Sequence, residues 1–186
     1  MNPQVSIFKR TLSVKLQTLA AITAIVAAVA LPQFFHMLGA ALGIGSALGE
    51  ALLPMHFPIL LVGFLAGPYA GAIAGLCSPL ISFWLTGMPK EALLPFMMIE
   101  LCIYGLTAGL LRQHSFGFLP KLLLAQLGGR LIRSIAILIV YYTATAPAIA
   151  PAYIWNSVIT GWIGILLQMV FIPLILKGIE GMSHHE

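Results

Sequence analysis

Three ionisable side chains, Glu100, Arg130 and Arg133, lie inside apolar stretches that are long enough to cross a bilayer. A charged side chain near the bilayer centre costs roughly 2.5–3.5 kcal/mol on insertion scales, so a partner or a function must compensate each one. Arg130 and Arg133 are three residues apart and share a helix face, together with Gln126. One carboxylate facing two guanidinium groups leaves one positive charge in excess, which suits an anionic ligand. The alternative is a structural ion pair between two helices.

Two further residues are candidate ligand contacts on the predicted outward side. His56 lies between Pro54 and Pro58, and proline stiffens both itself and the residue before it. His56 is therefore presented at a rigid corner, either as a ligand contact or as a helix cap. Asn156 is a poor membrane anchor and a better ligand contact, whereas the neighbouring Trp155 has the amphipathic ring typical of an interface anchor.

Small residues form a stripe on the first apolar segment. Ala20, Ala24 and Ala28 recur every four residues and lie along one helical face. Stripes of this kind let two helices approach closely in lipid. The stripe is used either for packing inside this chain or as a docking face for another membrane subunit.

The composition indicates that these elements are membrane helices. The chain of 186 residues is 60% hydrophobic and only 8% charged, with a mean hydropathy of +1.03. A soluble domain carries about 25% charged residues, so most of this surface must face lipid. The apolar runs are continuous, without the alternation of a membrane β-barrel. The net charge of +4 comes from residues at the ends of the apolar segments, which indicates membrane topology and no nucleic-acid partner.

The apolar pattern predicts an all-α integral membrane protein, a single transmembrane domain over residues 1–186 with six transmembrane helices. Residues 37–54 are rich in Gly and Ala and predict a long, partly inserted loop. The second helix is short, about a dozen residues before the turn at Gly67-Pro68. The predicted spans cover residues 16–38, 56–67, 69–85, 92–111, 122–145 and 153–176.

Basic residues predict the orientation of the chain. Six of them would lie on one side of the membrane, whereas Lys90 alone would lie on the other, and positive loops stay in the cytoplasm. Both termini, residues 1–15 and 178–186, are therefore predicted to be cytoplasmic. A reporter fused to the C-terminus and found outside the cell would contradict this orientation. The six residues are Lys9, Arg10, Lys15, Arg112, Lys121 and Lys177.

Known catalytic and nucleotide-binding motifs are absent from the sequence. It contains no phosphate-binding loop, no His-Glu-x-x-His and no Gly-x-Ser-x-Gly. Cys77 and Cys102 fall inside apolar runs and form no zinc or disulfide pattern. An intramembrane enzyme using Glu100 or Cys77 would lack a second catalytic group. No catalytic residue, metal or cofactor is therefore predicted, and active transport by this chain would need a gradient or a partner's energy.

Segments 53–58, 63–71, 78–80 and 86–89 resemble the substrate-binding S components of energy-coupling factor (ECF) vitamin transporters. The resemblance implies a six-helix protein of the cell membrane that captures a water-soluble vitamin from outside. It also implies partners, namely a transmembrane coupling subunit and two ABC-type ATPase subunits. In this family an Ala-x-x-x-Ala face on the first helix meets the coupling subunit, which implies docking through Ala20, Ala24 and Ala28.

The same resemblance implies a ligand site near the outer side, between spans four, five and six and beneath the first outward loop. Arg133 is the preferred anion contact of the two arginines. Pantothenate fits by size and charge, while cobalamin, folate, a flavin and a B6 or thiamin precursor stay open. A solitary facilitator and a purely structural subunit are the alternative functions. The predicted substrate-binding residues are Glu50, His56, Glu100, Tyr104, Arg130, Arg133 and Asn156.

Overall fold

The computed structural model describes residues 12–183, with side chains through Ile179. Lys9 and Arg10 lie outside the described residues, as do the rest of residues 1–11 and residues 184–186 of the two predicted cytoplasmic segments. Within these bounds the chain forms seven α-helices and one 3₁₀ turn, with no β-strand. The helices are α1 (Val14–Ala41), α2 (Ala47–Leu52), α3 (His56–Ala66), α4 (Pro68–Thr86), α5 (Leu94–Leu111), α6 (Phe118–Thr143) and α7 (Ala152–Ser183), and the 3₁₀ turn is Glu91–Leu93.

Six helical segments of the described chain are long and apolar enough to cross a membrane, which confirms the predicted six-helix architecture. The second segment, Ala47–Ala66, consists of α2 and α3 together. An even number of crossings places the two ends of the described segment, residues 12–183, on the same side. The cytoplasmic assignment of that side stays a prediction from the charge pattern.

The structure corrects the predicted loop over residues 37–54. Helix α1 continues to Ala41, and residues Ala47–Leu52 form α2. Only a short connection separates them, in which Gly43 and Gly45 adopt positive φ angles of 73° and 60°. The Gly and Ala content that suggested a loop instead marks a tight turn between helices, because glycine adopts positive φ without steric cost.

Glycines bring α3, α4 and α5 into close contact. A Cβ added to Gly71 of α4 would overlap the backbone of Gly105 in α5, and one added to Gly105 would overlap Gly71. Gly63 of α3 packs against the same residue of α5, since a Cβ added to Gly63 would lie 2.6 Å from the Gly105 carbonyl oxygen. Small residues of this kind permit tight helix packing in lipid, where the hydrophobic effect contributes little. The packing fixes α5, which carries Glu100.

The alanine stripe of α1 faces the protein interior. Ala24 is 6% exposed and Ala28 is fully buried in the core where α1 packs against α3 and α4. Only Ala20 remains partly exposed. This arrangement is the internal-packing alternative in the isolated chain. Docking of a partner through Ala20, Ala24 and Ala28 stays a prediction, and it would require α1 to move so that Ala24 and Ala28 become accessible.

We predict that Ala28→Leu lowers stability by about 1–3 kcal/mol, because the added methyl groups must overpack a filled core. The matched control is Ala30→Leu on the same helix, where the side chain is exposed and the change should be nearly neutral. Thermal unfolding of both variants in detergent checks this. A wild-type unfolding temperature for Ala28→Leu, combined with lost assembly, would favour the docking interpretation.

Candidate ligand-binding site

A buried ion pair joins α5 to α6. Arg133 Nη1 donates to Glu100 Oε2 at 2.6 Å, and the two side chains are 6% and 1% exposed. Arg133 Nη2 donates to Ser157 Oγ of α7 at 2.5 Å. The Tyr104 hydroxyl donates to Glu100 Oε1 at 3.1 Å from one turn along α5. Glu100 is thus held by two donors, and the pair ties together three helices.

Gly129 allows α6 to approach α5 at this point. A Cβ added at Gly129 would overlap the Tyr104 ring and would lie 2.7 Å from the Glu100 carbonyl oxygen. Glu100 and Tyr104 share a face of α5 because they are four residues apart. Any side chain at position 129 would therefore displace the tyrosine that orients the carboxylate.

A cavity of about 410 Å³ opens beside the ion pair. This volume lies within the usual range of small-molecule sites, roughly 300–1,000 Å³. Its apolar wall includes three methionines, Met55, Met88 and Met97. Six of the seven predicted ligand-binding residues line the cavity. The first and last of them, at positions 50 and 156, are 106 positions apart in the sequence. The six are Glu50, His56, Glu100, Arg130, Arg133 and Asn156.

Tyr104 is the predicted residue that does not line the cavity. Its side chain is 1% exposed and lies behind Glu100, with its ring edge-on to the His56 ring at 5.4 Å. It therefore supports the site and does not face the cavity. Gln126, expected on the arginine face, is also outside the cavity lining: it donates to Gln168 Oε1 of α7 at 2.9 Å.

Several polar residues of the cavity were not predicted. Tyr153, Ser157 and Thr160 line it from α7. These three residues are spaced by four and three positions, as expected for one face of a helix, and Asn156 lies beside them. This polar helical pattern was visible in the sequence. His36 of α1 and Lys90 of the loop before α5 also line it, and only tertiary packing brings them there.

Several buried nitrogen atoms at the cavity have no hydrogen-bond partner within the described part of the chain. They are both ring nitrogens of His56, Nε and Nη1 of Arg130, and Nε of Arg133. His56 Nε2 lies 3.8 Å from Glu100 Oε2, which is too long for a hydrogen bond. A buried donor without an acceptor costs about 1–3 kcal/mol. A polar ligand in the cavity would supply the missing partners.

Helix α7 holds α2 over the cavity. A Cβ at Gly164 would lie 2.5 Å from the Leu52 carbonyl oxygen, and one at Gly161 would lie 2.8 Å from Leu53 Cδ1. Gln168 Nε2 donates to the Leu53 carbonyl oxygen at 3.4 Å. The segment that connects α1 to α3 therefore packs directly on the backbone of α7.

The tryptophans lie apart from the cavity lining. Trp84, Trp155 and Trp162 are 74%, 67% and 55% exposed and point away from the protein. The exposure of Trp155 fits its interpretation as an interface anchor. No group of three or more His, Cys, Asp or Glu side chains that could hold a metal occurs among residues 12–179.

The chain matches the family model described as "ECF transporter, substrate-specific component" over residues 14–176. No curated protein and no solved structure shows a significant match to the chain. The family match spans all six membrane segments, and it agrees with the resemblance carried by the motifs between residues 53 and 89. The chain therefore belongs to the ECF transporter substrate-specific components. It is a multi-pass membrane protein, the subunit that determines the substrate specificity of such a transporter.

Proposed function

We propose that this subunit captures a small, water-soluble anionic vitamin in the 410 Å³ cavity, with pantothenate as the first candidate. The observation that carries the proposal is the excess of positive charge at the cavity. Buried Glu100 is paired with buried Arg133, and the partly buried Arg130 adds a second cation to the lining. A single negative charge on the ligand would balance this set.

The lining of the cavity supports a ligand of pantothenate's shape. Pantothenate carries one carboxylate, an amide, two hydroxyl groups and a branched apolar centre. His56, Asn156 and Ser157 offer hydrogen-bonding partners for the neutral groups, and the methionine wall suits the apolar centre. Cobalamin is far larger than the cavity, so the volume favours pantothenate over it.

Transport against a gradient would draw its energy from partner subunits. The family association implies an ECF module made of a transmembrane coupling subunit and ATPase subunits. We propose that two ABC-type ATPases hydrolyse ATP in that module, since this chain has no nucleotide-binding motif. A solitary facilitator would use the same cavity, so an uptake assay is needed to distinguish it from a subunit of an ATP-driven transporter. The proposal expects vitamin uptake in cells that contain the ECF module and none in cells that lack it.

Mass spectrometry of small molecules released from the gently purified protein tests the capture function. A tight binder retains its ligand, so we expect one water-soluble organic acid at a stoichiometry near one per chain. The control is Glu100→Gln/Arg133→Met, which lacks the ion pair and should release much less of it. A stoichiometric neutral or cationic molecule would contradict the anionic assignment.

A further inference from the structure

We propose that Arg130 binds a single carboxylate of the ligand, whereas Arg133 is a positioning residue that holds the site together. The inference rests on the proposed function in one respect, that the cavity holds a ligand. It reverses the order expected from the sequence, in which Arg133 was the preferred anion contact. It also names the substrate class as monoanionic carboxylic acids.

Arg133 is already committed to protein partners. Its two terminal nitrogens donate to Glu100 and to Ser157, and its guanidinium lies 5.8 Å from the centre of the Tyr153 ring. Its exposed fraction is 5%. Its Nε has no partner in the described structure, but a ligand carboxylate that paired with the two terminal nitrogens would have to displace Glu100 or Ser157, which would leave a buried carboxylate or hydroxyl without its donor.

Arg130 lies at the same cavity without such partners. Its Nε and Nη1 are buried and have no hydrogen-bond acceptor in the described structure. The buried carboxylate of the cavity, Glu100, already accepts hydrogen bonds from Arg133 and Tyr104. Glu50 also lines the cavity, but it is exposed and accepts from Ser46 Oγ at 2.9 Å. Arg130 therefore holds the positive charge that the protein leaves unbalanced.

The charge count selects a monoanion. Glu100, Arg130 and Arg133 together carry one positive charge, since two cations face one anion. Lys90 and Glu50 are exposed, carry opposite charges and are screened by solvent. A carboxylate neutralises this set of three side chains, whereas a doubly charged phosphate ester would leave it negative. A neutral ligand would leave Arg130 unpaired, and both outcomes are costly in a low-dielectric interior.

The first test uses the ligand-free protein and needs no knowledge of the ligand. We expect Arg130→Gln to raise the unfolding temperature by about 3–8 °C, because it removes an unbalanced, partly buried charge. Arg133→Gln should lower it, because Glu100 then loses its partner. Thermal unfolding of the full chain in detergent, after dialysis and a mass-spectrometric check for released ligand, measures both. An Arg130→Gln variant destabilised as much as Arg133→Gln would overturn the assignment.

The second test compares pantothenate with pantothenol, in which a hydroxymethyl group replaces the carboxylate. Wild type should bind the acid about 10- to 100-fold more tightly than the alcohol, the ratio expected for one charge-assisted hydrogen-bonded pair. Arg130→Gln should bring this ratio close to one, and Arg130→Lys should restore part of it. The measurement is isothermal titration calorimetry.

The outcomes separate the two proposals. Equal binding of acid and alcohol by wild type would overturn the Arg130 anchor and leave the capture function in place. Binding of neither would overturn pantothenate as the substrate. The same pair of measurements is then made with the acid found by mass spectrometry and its primary amide, and a ratio unchanged by Arg130→Gln would overturn the anchor.

Discussion

Replacing Arg133 with methionine is expected to destabilise the protein by about 3–5 kcal/mol, because Glu100 would remain buried without its ionic partner. Glu100 is fully buried, and the donor lost lies 2.6 Å from its Oε2 atom. The Tyr104 hydroxyl would remain, but it does not neutralise the charge. Chemical unfolding in detergent micelles, followed by circular dichroism, measures the change.

The double variant Glu100→Gln/Arg133→Met is the control for this prediction. It removes both charges, so it should recover most of the stability lost in Arg133→Met. Ligand binding should not recover, because Glu100 and Arg133 position the cavity wall. The two single variants and the double variant form a thermodynamic cycle that isolates the pair. Additive losses in that cycle would show that the pair contributes no coupling energy.

Replacing Gly105 with alanine is expected to cost about 3 kcal/mol or more, because the added methyl has no space. Its Cβ would overlap the backbone of Gly71, and backbone cannot rotate away as a flexible side chain can. Helices α4 and α5 would have to separate, and Glu100 would move with α5. We expect little monodisperse protein on size-exclusion chromatography and no retained ligand.

Gly128→Ala is the matched control for Gly105→Ala. It makes the same chemical change in a membrane helix. The Cβ added at position 128 would have Thr107 Oγ1 at 3.9 Å and Ile103 Cγ2 at 4.0 Å as its nearest neighbours. The methyl group fits, and alanine has the higher helix propensity, so stability should equal or slightly exceed that of wild type. If Gly105→Ala unfolds at the same temperature as Gly128→Ala, the close contact between α4 and α5 is not a determinant of the fold.

The connection between α2 and α7 suggests why the cavity is built from so many elements. The cavity is lined by residues of α2 and the turn after it, including Glu50, Leu53 and Met55, while α7 contributes Asn156 and Ser157. Gly161 and Gly164 let these two parts pack against each other directly. A ligand that contacts both parts would stabilise their packing, since binding to the folded state alone raises stability by mass action.

The sequence by itself determined that the protein is surrounded by lipid and is built of helices. Hydropathy is a property of consecutive residues, so six apolar segments and the near absence of charge predict membrane helices without tertiary information. The same reasoning identified Glu100, Arg130 and Arg133, because an ionisable residue in an apolar segment stands out wherever its partners lie. Helix α2 escaped prediction because six residues are too few to show a helical period.

Tertiary structure alone decided which groups pair. Arg130 and Arg133 share one helical face, so their spacing leaves open which of them meets Glu100; the position of Ser157 on α7 and of Glu100 on α5 selects Arg133. The alanine stripe presented the same ambiguity, since a periodic pattern defines a face but not the neighbour it contacts. His36 and Lys90 joined the cavity from separate elements, because a cavity is a property of several packed helices and leaves no local signal in any one of them.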